Sequence, residues 1–295
     1  MNYNLERLIG NTPLVESRVL QTNPNVKLLF KLEGDNPGGS VKDRAAYNMI
    51  KSAMERGEID KNTKLIEATS GNTGIALAMI ASIYGLSLEI VMPENSTKER
   101  VQTMRAYGAT VILTSKEVGI EGARDYAEAK VRDEGYYMFN QFGNPDNWKA
   151  HYKTTGPEIW RDTEEKVTHF VSSMGTTGTI MGTSTFLKEK NKDIQIVGVQ
   201  PTDESSIPGI RKWPQEYLPK IFDAKKVDRI MEVSEADARI MAKRLAKEEG
   251  IFSGMSSGGA TVAALRLCEE LEEGIVVSII CDRGDRYLSS DLFDE

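Results

Sequence analysis

One lysine and three loops dense in glycine and hydroxyl side chains are the residues of this sequence whose types and spacing could do chemistry. Ala68-Thr69-Ser70-Gly71-Asn72-Thr73-Gly74 follows an apolar run ending at Glu67, and Ser173-Met174-Gly175-Thr176-Thr177-Gly178-Thr179 follows His169-Phe170-Val171. Both precede helical patterns. A loop between a strand and a helix presents backbone N–H groups and a partial positive charge, which suits an anion. The second loop is not a P-loop, because no Gly-Lys-Ser/Thr follows, and its spacing fails G-x-G-x-x-G. A small phosphate held by amides and the hydroxyls of Thr176, Thr177 and Thr179 fits it better than a nucleotide does.

Gly254-Met255-Ser256-Ser257-Gly258 matches the G-x-S-x-G nucleophile elbow in form, but the triad histidine of that motif comes later in the chain and no histidine follows His169. Ser256 and Ser257 are therefore binding groups or a helix cap. The lysine lies in Asn36-Pro37-Gly38-Gly39-Ser40-Val41-Lys42-Asp43-Arg44, where a turn and a cap at Ser40 put Lys42 in the first turn of a helix. The positive end of that helix disfavours the charged amine. Taken alone, such a lysine is a solvated surface residue. Beside a phosphate cup, and with no other nucleophile, it reads as a Schiff-base lysine, and that pairing points to pyridoxal phosphate.

The elements that must position these residues follow a βα pattern. Strands are expected near Val26–Leu32, Lys64–Glu67, Leu88–Met92, Thr110–Leu113, Val167–Val171, Ile194–Val199 and Ile275–Ile280. Helical patterns run over Ala45–Arg56, Gly74–Tyr84, Glu99–Tyr107, Ile120–Arg132, Glu235–Glu248 and Thr261–Leu271. Capping-box spacings at Ser40/Asp43, Ser96/Glu99 and Ser234/Asp237 mark helix starts. The class is α/β with a mainly parallel sheet. Asn140 to Asp146 is the densest Gly/Pro/Asn cluster near the middle and marks a domain boundary, while Pro201 to Pro219 reads as a long loop.

Composition excludes several functions. The 295 residues carry 37 Lys+Arg against 44 Asp+Glu, a net charge of −7 that argues against nucleic acid as the main partner. The most apolar stretch, Ile275 to Cys281, is too short to span a membrane, and the first residues lack a signal-peptide pattern, so a cytoplasmic enzyme is expected. Two histidines and two separated cysteines, Cys268 and Cys281, suggest neither a metal site nor a disulfide framework.

The ordered motifs together resemble a known family. Ile9-Gly10-Asn11-Thr12-Pro13-Leu14, Lys42, the Thr69–Gly74 loop, Gly175–Thr179 and Ser256-Ser257-Gly258 look like the fold-type II pyridoxal-phosphate enzymes, and within them the O-acetylserine sulfhydrylases, or cysteine synthases. Thr176-Thr177 inside the cup, Ser206–Arg211 and Cys281–Tyr287 are similar to the bacterial B type. The resemblance implies two three-layer α/β/α domains with mainly parallel sheets, as in the β chain of tryptophan synthase. Residues 1–12 and 35–145 would form a mobile substrate-binding domain, and residues 13–34 and 146–295 a cofactor-anchoring one.

The resemblance also implies roles. Lys42 carries the cofactor and then removes the Cα proton. Asn72 hydrogen-bonds the ring hydroxyl, and Thr69, Ser70, Gly71, Thr73 and Gln141 hold the substrate carboxylate. Gly175, Thr176, Thr177, Gly178 and Thr179 cradle the phosphate, and Ser256 faces the pyridine nitrogen. A neutral hydroxyl there makes the ring a weaker electron sink, which favours β-elimination. Acetate leaves O-acetylserine, an aminoacrylate remains, and sulfide adds to its β-carbon. The B type is expected to accept thiosulfate too, giving S-sulfocysteine. Arg211 is the candidate cation for that anion. At the next position arginine is expected in many B-type sequences, but this chain has Lys212.

Cys281 could line the pocket or be a small buried residue, and Trp213 reads as a packing aromatic. A homodimer is usual in the family, and docking of a serine acetyltransferase tail is expected to be weak or absent. The alternatives are a serine/threonine dehydratase, a cystathionine β-synthase-like enzyme, and a non-catalytic binding module that keeps the scaffold.

Overall fold

The computed structural model describes residues 4–294, so residues 1–3 and 295 of the expected domains lie outside the described residues. Among the described residues, nine strands alternate with nine helices. In chain order they are β1 (Leu14–Glu16), β2 (Val26–Leu32), α1 (Lys42–Glu55), β3 (Lys64–Ala68), α2 (Asn72–Tyr84), β4 (Ser87–Pro93), α3 (Lys98–Ala106), β5 (Thr110–Thr114) and α4 (Gly119–Glu134). There follow α5 (Pro145–Lys153), α6 (Thr155–Asp162), β6 (His169–Ser173), α7 (Gly178–Lys190), β7 (Gln195–Pro201), β8 (Arg229–Val233), α8 (Glu235–Arg244), α9 (Met255–Glu270) and β9 (Gly274–Ile280).

The strands form a six-stranded sheet in the order β1-β2-β9-β6-β7-β8 and a three-stranded sheet β3-β4-β5. Only β1 pairs antiparallel. Burial on both faces is why the inner strands read as nearly continuous apolar runs. In β6, β7 and β9 alternate residues enter different cores: Val171, Val197 and Val276 pack in one, Phe170, Ile196 and Val277 in the other. In the smaller sheet Leu65 and Ile90 pack with α1 and α2, while Ile66 and Val91 pack against Ala123 and Ala127 of α4.

The chain departs from the sequence expectations where local signals were thin. Strands β1 and β8 are short, half-exposed edges, helices α5 and α6 are only nine and eight residues long, and α7 has no amphipathic period because it buries residues around most of its circumference. The Ser234 cap forms, its hydroxyl accepting from the Asp237 amide at 3.1 Å. The one at Ser96 does not: its hydroxyl donates to the Pro93 carbonyl at 2.7 Å, and α3 starts after Thr97. Ser40 Oγ accepts from the Lys42 amide at 3.2 Å, while Asp43 turns to the Gly38 amide at 2.5 Å. The 202–214 segment is a loop, as expected.

A buried charge cluster fixes α1 against the larger sheet. Arg44 Nε meets Glu33 Oε2 at 2.7 Å and its Nη1 meets Glu158 Oε1 at 2.7 Å, while Lys31 Nζ reaches Glu158 Oε2 at 2.8 Å. Burial raises the Glu158 carboxyl, but the Arg44 guanidinium and Lys31 outweigh it and hold it at about 2. A folded-state value below the ordinary 4.5 contributes stability that is present above pH 4.5 and lost as pH falls toward 2. Arg44→Ala leaves the buried Glu33 carboxylate without a cation and Glu158 with Lys31 alone, and is expected to lose about 3–5 kcal/mol. Urea unfolding at neutral pH measures that loss, and the variant's stability should vary less than the parent's between pH 4.5 and 2.

Candidate active site

Four helices point their N-termini into one cavity of about 270 Å³. They are α1 at Lys42, α2 at Asn72, α7 at Gly178 and α9 beside Ser256, and the carboxyl ends of β3, β6 and β9 lie between them. Each helix start leaves backbone N–H groups without helical partners and adds a partial positive charge, so the cavity is built for anionic groups. Every residue to which the resemblance gave a role lines it: Lys42, the Thr69–Thr73 loop, Gln141, the Gly175–Thr179 loop, Arg211 and Ser256. Ser257, in contrast, turns its hydroxyl to the Cys281 amide at 3.0 Å and is structural.

Lys42 is stitched in place from the other side. The Val41 amide donates to the Cys281 carbonyl at 2.8 Å, and Ser40 bridges antiparallel to Asp282. The lysine stands half-buried where α1 meets the end of β9.

The Gly175–Thr179 loop is a cup with hydroxyl donors to spare. Thr177 adopts φ +69°, and its hydroxyl is buried without a partner among the described residues. Thr176 Oγ1 receives Asn147 Nδ2 at 3.1 Å and the Gly178 amide at 3.4 Å, so its own proton points elsewhere. A Cβ on Gly175 would stand 2.7 Å from the Gly209 carbonyl oxygen, and one on Gly178 would collide with the Asn147 carboxamide. Hydroxyl donors around a wall that only glycine permits suit a phosphate monoester. Thr179 lies 3.4 Å from Nε2 of His151, whose Nδ1 meets Thr155 at 2.9 Å. Burial lowers this imidazole to about 3, so it is neutral at ordinary pH.

Opposite the cup, Thr73 Oγ1 donates to Gln141 Oε1 at 2.7 Å, and Asn147 Nδ2 donates to the Gln141 carbonyl at 2.7 Å. Asn72 gives Nδ2 to Asp282 Oδ2 at 2.7 Å and receives the Arg286 guanidinium at Oδ1. Cys281 lines the cavity, and burial pushes its thiol up to about 11, so it remains protonated.

Arg211 lies exposed at the mouth with its guanidinium 5.4 Å from the Trp213 ring centre. Trp213 is more than packing: its indole N–H donates to the Gly175 carbonyl at 2.8 Å while its ring meets Phe142 edge-on at 5.4 Å. Lys212 is outside the cavity lining, tied to Asp203 at 2.5 Å and Glu232 at 2.7 Å. Arg100 and Asn147 carried no signal in the sequence, since each lies in the first turn of a helix, α3 and α5, with no motif around it. Arg100 packs 5.1 Å over Tyr287 and donates to the Ser70 carbonyl at 3.3 Å.

The family model for pyridoxal-phosphate dependent enzymes matches residues 5–282. The chain belongs to the pyridoxal-phosphate dependent enzymes. It is 59% identical over 286 residues to cysteine synthase B of Pseudomonas aeruginosa, covering 97% of this chain and 96% of that one. Cysteine synthase B of Escherichia coli is 56% identical over 292 residues, with 99% and 96% covered. A crystal structure of cysteine synthase from Entamoeba histolytica superimposes with a TM-score of 0.95 at 38% identity, covering 100% of this chain and 91% of that one. The fold is thus that of a fold-type II pyridoxal-phosphate enzyme, and the lysine beside a phosphate-shaped cup fits the cofactor of this family.

Two changes probe the site of this pyridoxal-phosphate dependent enzyme. Gly175→Ala pushes a methyl group against a backbone oxygen and is expected to weaken pyridoxal phosphate uptake by about tenfold or more, read by absorbance titration. Glu67, buried below the Thr69 loop, accepts from the Asn140 amide at 3.3 Å, and burial pushes its carboxyl up to about 7. A raised folded-state value means that stability falls as pH rises from 4.5 through 7. Glu67→Gln removes that fall and should gain about 1–3 kcal/mol on the parent between pH 4.5 and pH 8, measured as urea midpoints.

Proposed function

We propose that this protein is a cysteine synthase of the B type, which replaces the acetoxy group of O-acetyl-L-serine by sulfide to give L-cysteine and acetate. The observation that carries the reading is the meeting of Lys42, the Gly175–Thr179 cup and the α2 N-terminus in one cavity. Pyridoxal phosphate bound there supplies a ring that accepts the electron pair left when the Cα–H bond breaks. Lys42 Nζ is the amine that tethers the cofactor and, once displaced by the substrate amine, the base that takes the Cα proton. Gly175, Thr176, Thr177, Gly178 and Thr179 would hold the phosphate with amide and hydroxyl donors.

The substrate carboxylate would lie at the start of α2 on Thr69, Ser70, Gly71, Thr73 and Gln141. Held there, the substrate would share the cavity that Lys42 lines. Ser256 offers the ring nitrogen a neutral hydroxyl, which keeps the ring a moderate sink and directs the electron pair to expel acetate from the β-carbon. Sulfide would then add at that carbon. Arg211 at the mouth suits thiosulfate as a second donor, a doubly charged anion that a guanidinium pairs with.

The body around β3–β5, residues 1–12 and 35–145, would close over the substrate, while residues 13–34 and 146–295 hold the cofactor. A cytoplasmic homodimer without tight serine acetyltransferase docking completes the reading. No helix among the described residues is long and apolar enough to cross a membrane.

The test is the visible spectrum of the purified protein. A yellow band that shifts on adding O-acetylserine and returns with sulfide or thiosulfate is the expected result. A band indifferent to O-acetylserine would redirect the substrate to another activated serine, and pyruvate formed from serine without sulfide would favour a dehydratase. Lys42→Ala should lower turnover by at least about 10³-fold without loss of fold.

A further inference from the structure

Both polar atoms of the Asn72 carboxamide are engaged by residues from the far end of the chain. Nδ2 donates to Asp282 Oδ2 at 2.7 Å across 210 residues of sequence, and Oδ1 accepts from Arg286 Nη1 across 214. Asp282 is itself fixed. It is 1% exposed, the Tyr287 hydroxyl donates to the same Oδ2 at 2.7 Å, and the Gly254 amide approaches Oδ1 at 3.3 Å. Arg286 is buried as well and also donates to the Gly38 carbonyl, in the turn that precedes Lys42.

A guanidinium can only donate and a carboxylate can only accept, so this pair permits one orientation of the amide between them. The inverted amide would set its oxygen against a carboxylate and its NH2 against a cation. An amide nitrogen carries two hydrogens, of which Asp282 takes one. The other is left for the cavity that Asn72 lines.

We propose that Asp282 and Arg286 are positioning residues that hold Asn72 with an N–H, never its carbonyl, toward the ligand, so that Asn72 takes an electron-rich oxygen acceptor there. The inference rests on the pyridoxal-phosphate reading of the site, in which that acceptor is the phenolic oxygen of the ring. A fixed donor favours the deprotonated form of that oxygen, and removing the fix lets the amide turn and present its own oxygen. The balance between the two forms of the ring oxygen is visible in the absorption spectrum of the bound cofactor.

The experiment titrates the parent protein and the variants Asp282→Asn, Arg286→Lys and Tyr287→Phe with pyridoxal phosphate, recording absorption spectrum, affinity and far-ultraviolet circular dichroism. Asp282→Asn keeps the shape but can donate as well as accept, and a lysine at 286 lacks the fork that reaches both Asn72 and Gly38. Tyr287→Phe removes a hydrogen bond from the same carboxylate while leaving both contacts of Asn72. The expected result is a shift of absorbance to the shorter-wavelength, protonated form in Asp282→Asn and Arg286→Lys, with affinity about tenfold weaker and the parental band retained in Tyr287→Phe. Parental spectra and affinities in both of the first two variants overturn the proposal. So does an equal shift in all three, which would mean general loosening of the segment. A parent protein that takes up no pyridoxal phosphate instead defeats the reading of the site itself.

Discussion

The Arg44 guanidinium, 2% exposed, makes five contacts within 3.1 Å to Thr12, Glu33 and Glu158, and the geometry of the cavity is referred to them. Glu33 follows the strand β2 of the larger sheet, Glu158 lies on α6, and Arg44 stands two residues beyond Lys42. A buried ion pair gains little net stability over apolar packing, because desolvation offsets most of its Coulomb attraction. What a forked, donor-only group supplies is direction. The cluster sets where the first turn of α1 points, and with it the lysine amine.

The cavity owes its electrostatics to backbone as well as to side chains. Four helix starts meet there, and the side chains between them are mostly neutral: threonine, serine, asparagine and glutamine. Lys42, Arg100 and Arg211 are the charged residues in the lining, so the field is positive without a carboxylate to oppose it. A buried carboxylate here would carry a desolvation penalty and repel the anions the helices attract. The nearest acids are turned aside: Asp43 is bonded to the Gly38 amide and pushed up to about 7 by burial, and Asp282 is saturated by Asn72, Tyr287 and Gly254.

Hydrogen-bond polarity does the finer work. Asn147 donates to Thr176 and to the Gln141 carbonyl with one NH2 group, joining the phosphate cup to the loop on the substrate side. Since Thr176 Oγ1 already accepts, its hydroxyl is left as a donor toward the cavity. Trp213 similarly links the Gly175 carbonyl to Phe142. The two sides of the cavity are thus coupled through short chains of neutral groups. Such chains keep their form across the pH range in which the carboxyls at 43 and 67 titrate.

The sequence by itself determined the βα order, the parallel character of the sheets, and the loops where chemistry gathers, because those depend on local periodicity and on glycine, serine and threonine at strand ends. Strand β2 is read to the residue, since Val26–Leu32 is an apolar run broken only by the exposed Lys27 and by Lys31, whose burial is offset by Glu158. Lys42 and the Gly175–Thr179 cup were legible for the same reason. Only the tertiary structure decided that β2 pairs with β9 and β1 forms an antiparallel edge, that the Ser257 hydroxyl takes the Cys281 amide, and that Lys212 pairs with Asp203 and Glu232. The Arg44 cluster and the Asp282–Asn72–Arg286 bridge were not legible at all. The bonded partners of Arg44 and Asn72 are 11 to 214 residues away, and a single charged residue carries no local period to show which distant partner will neutralise it.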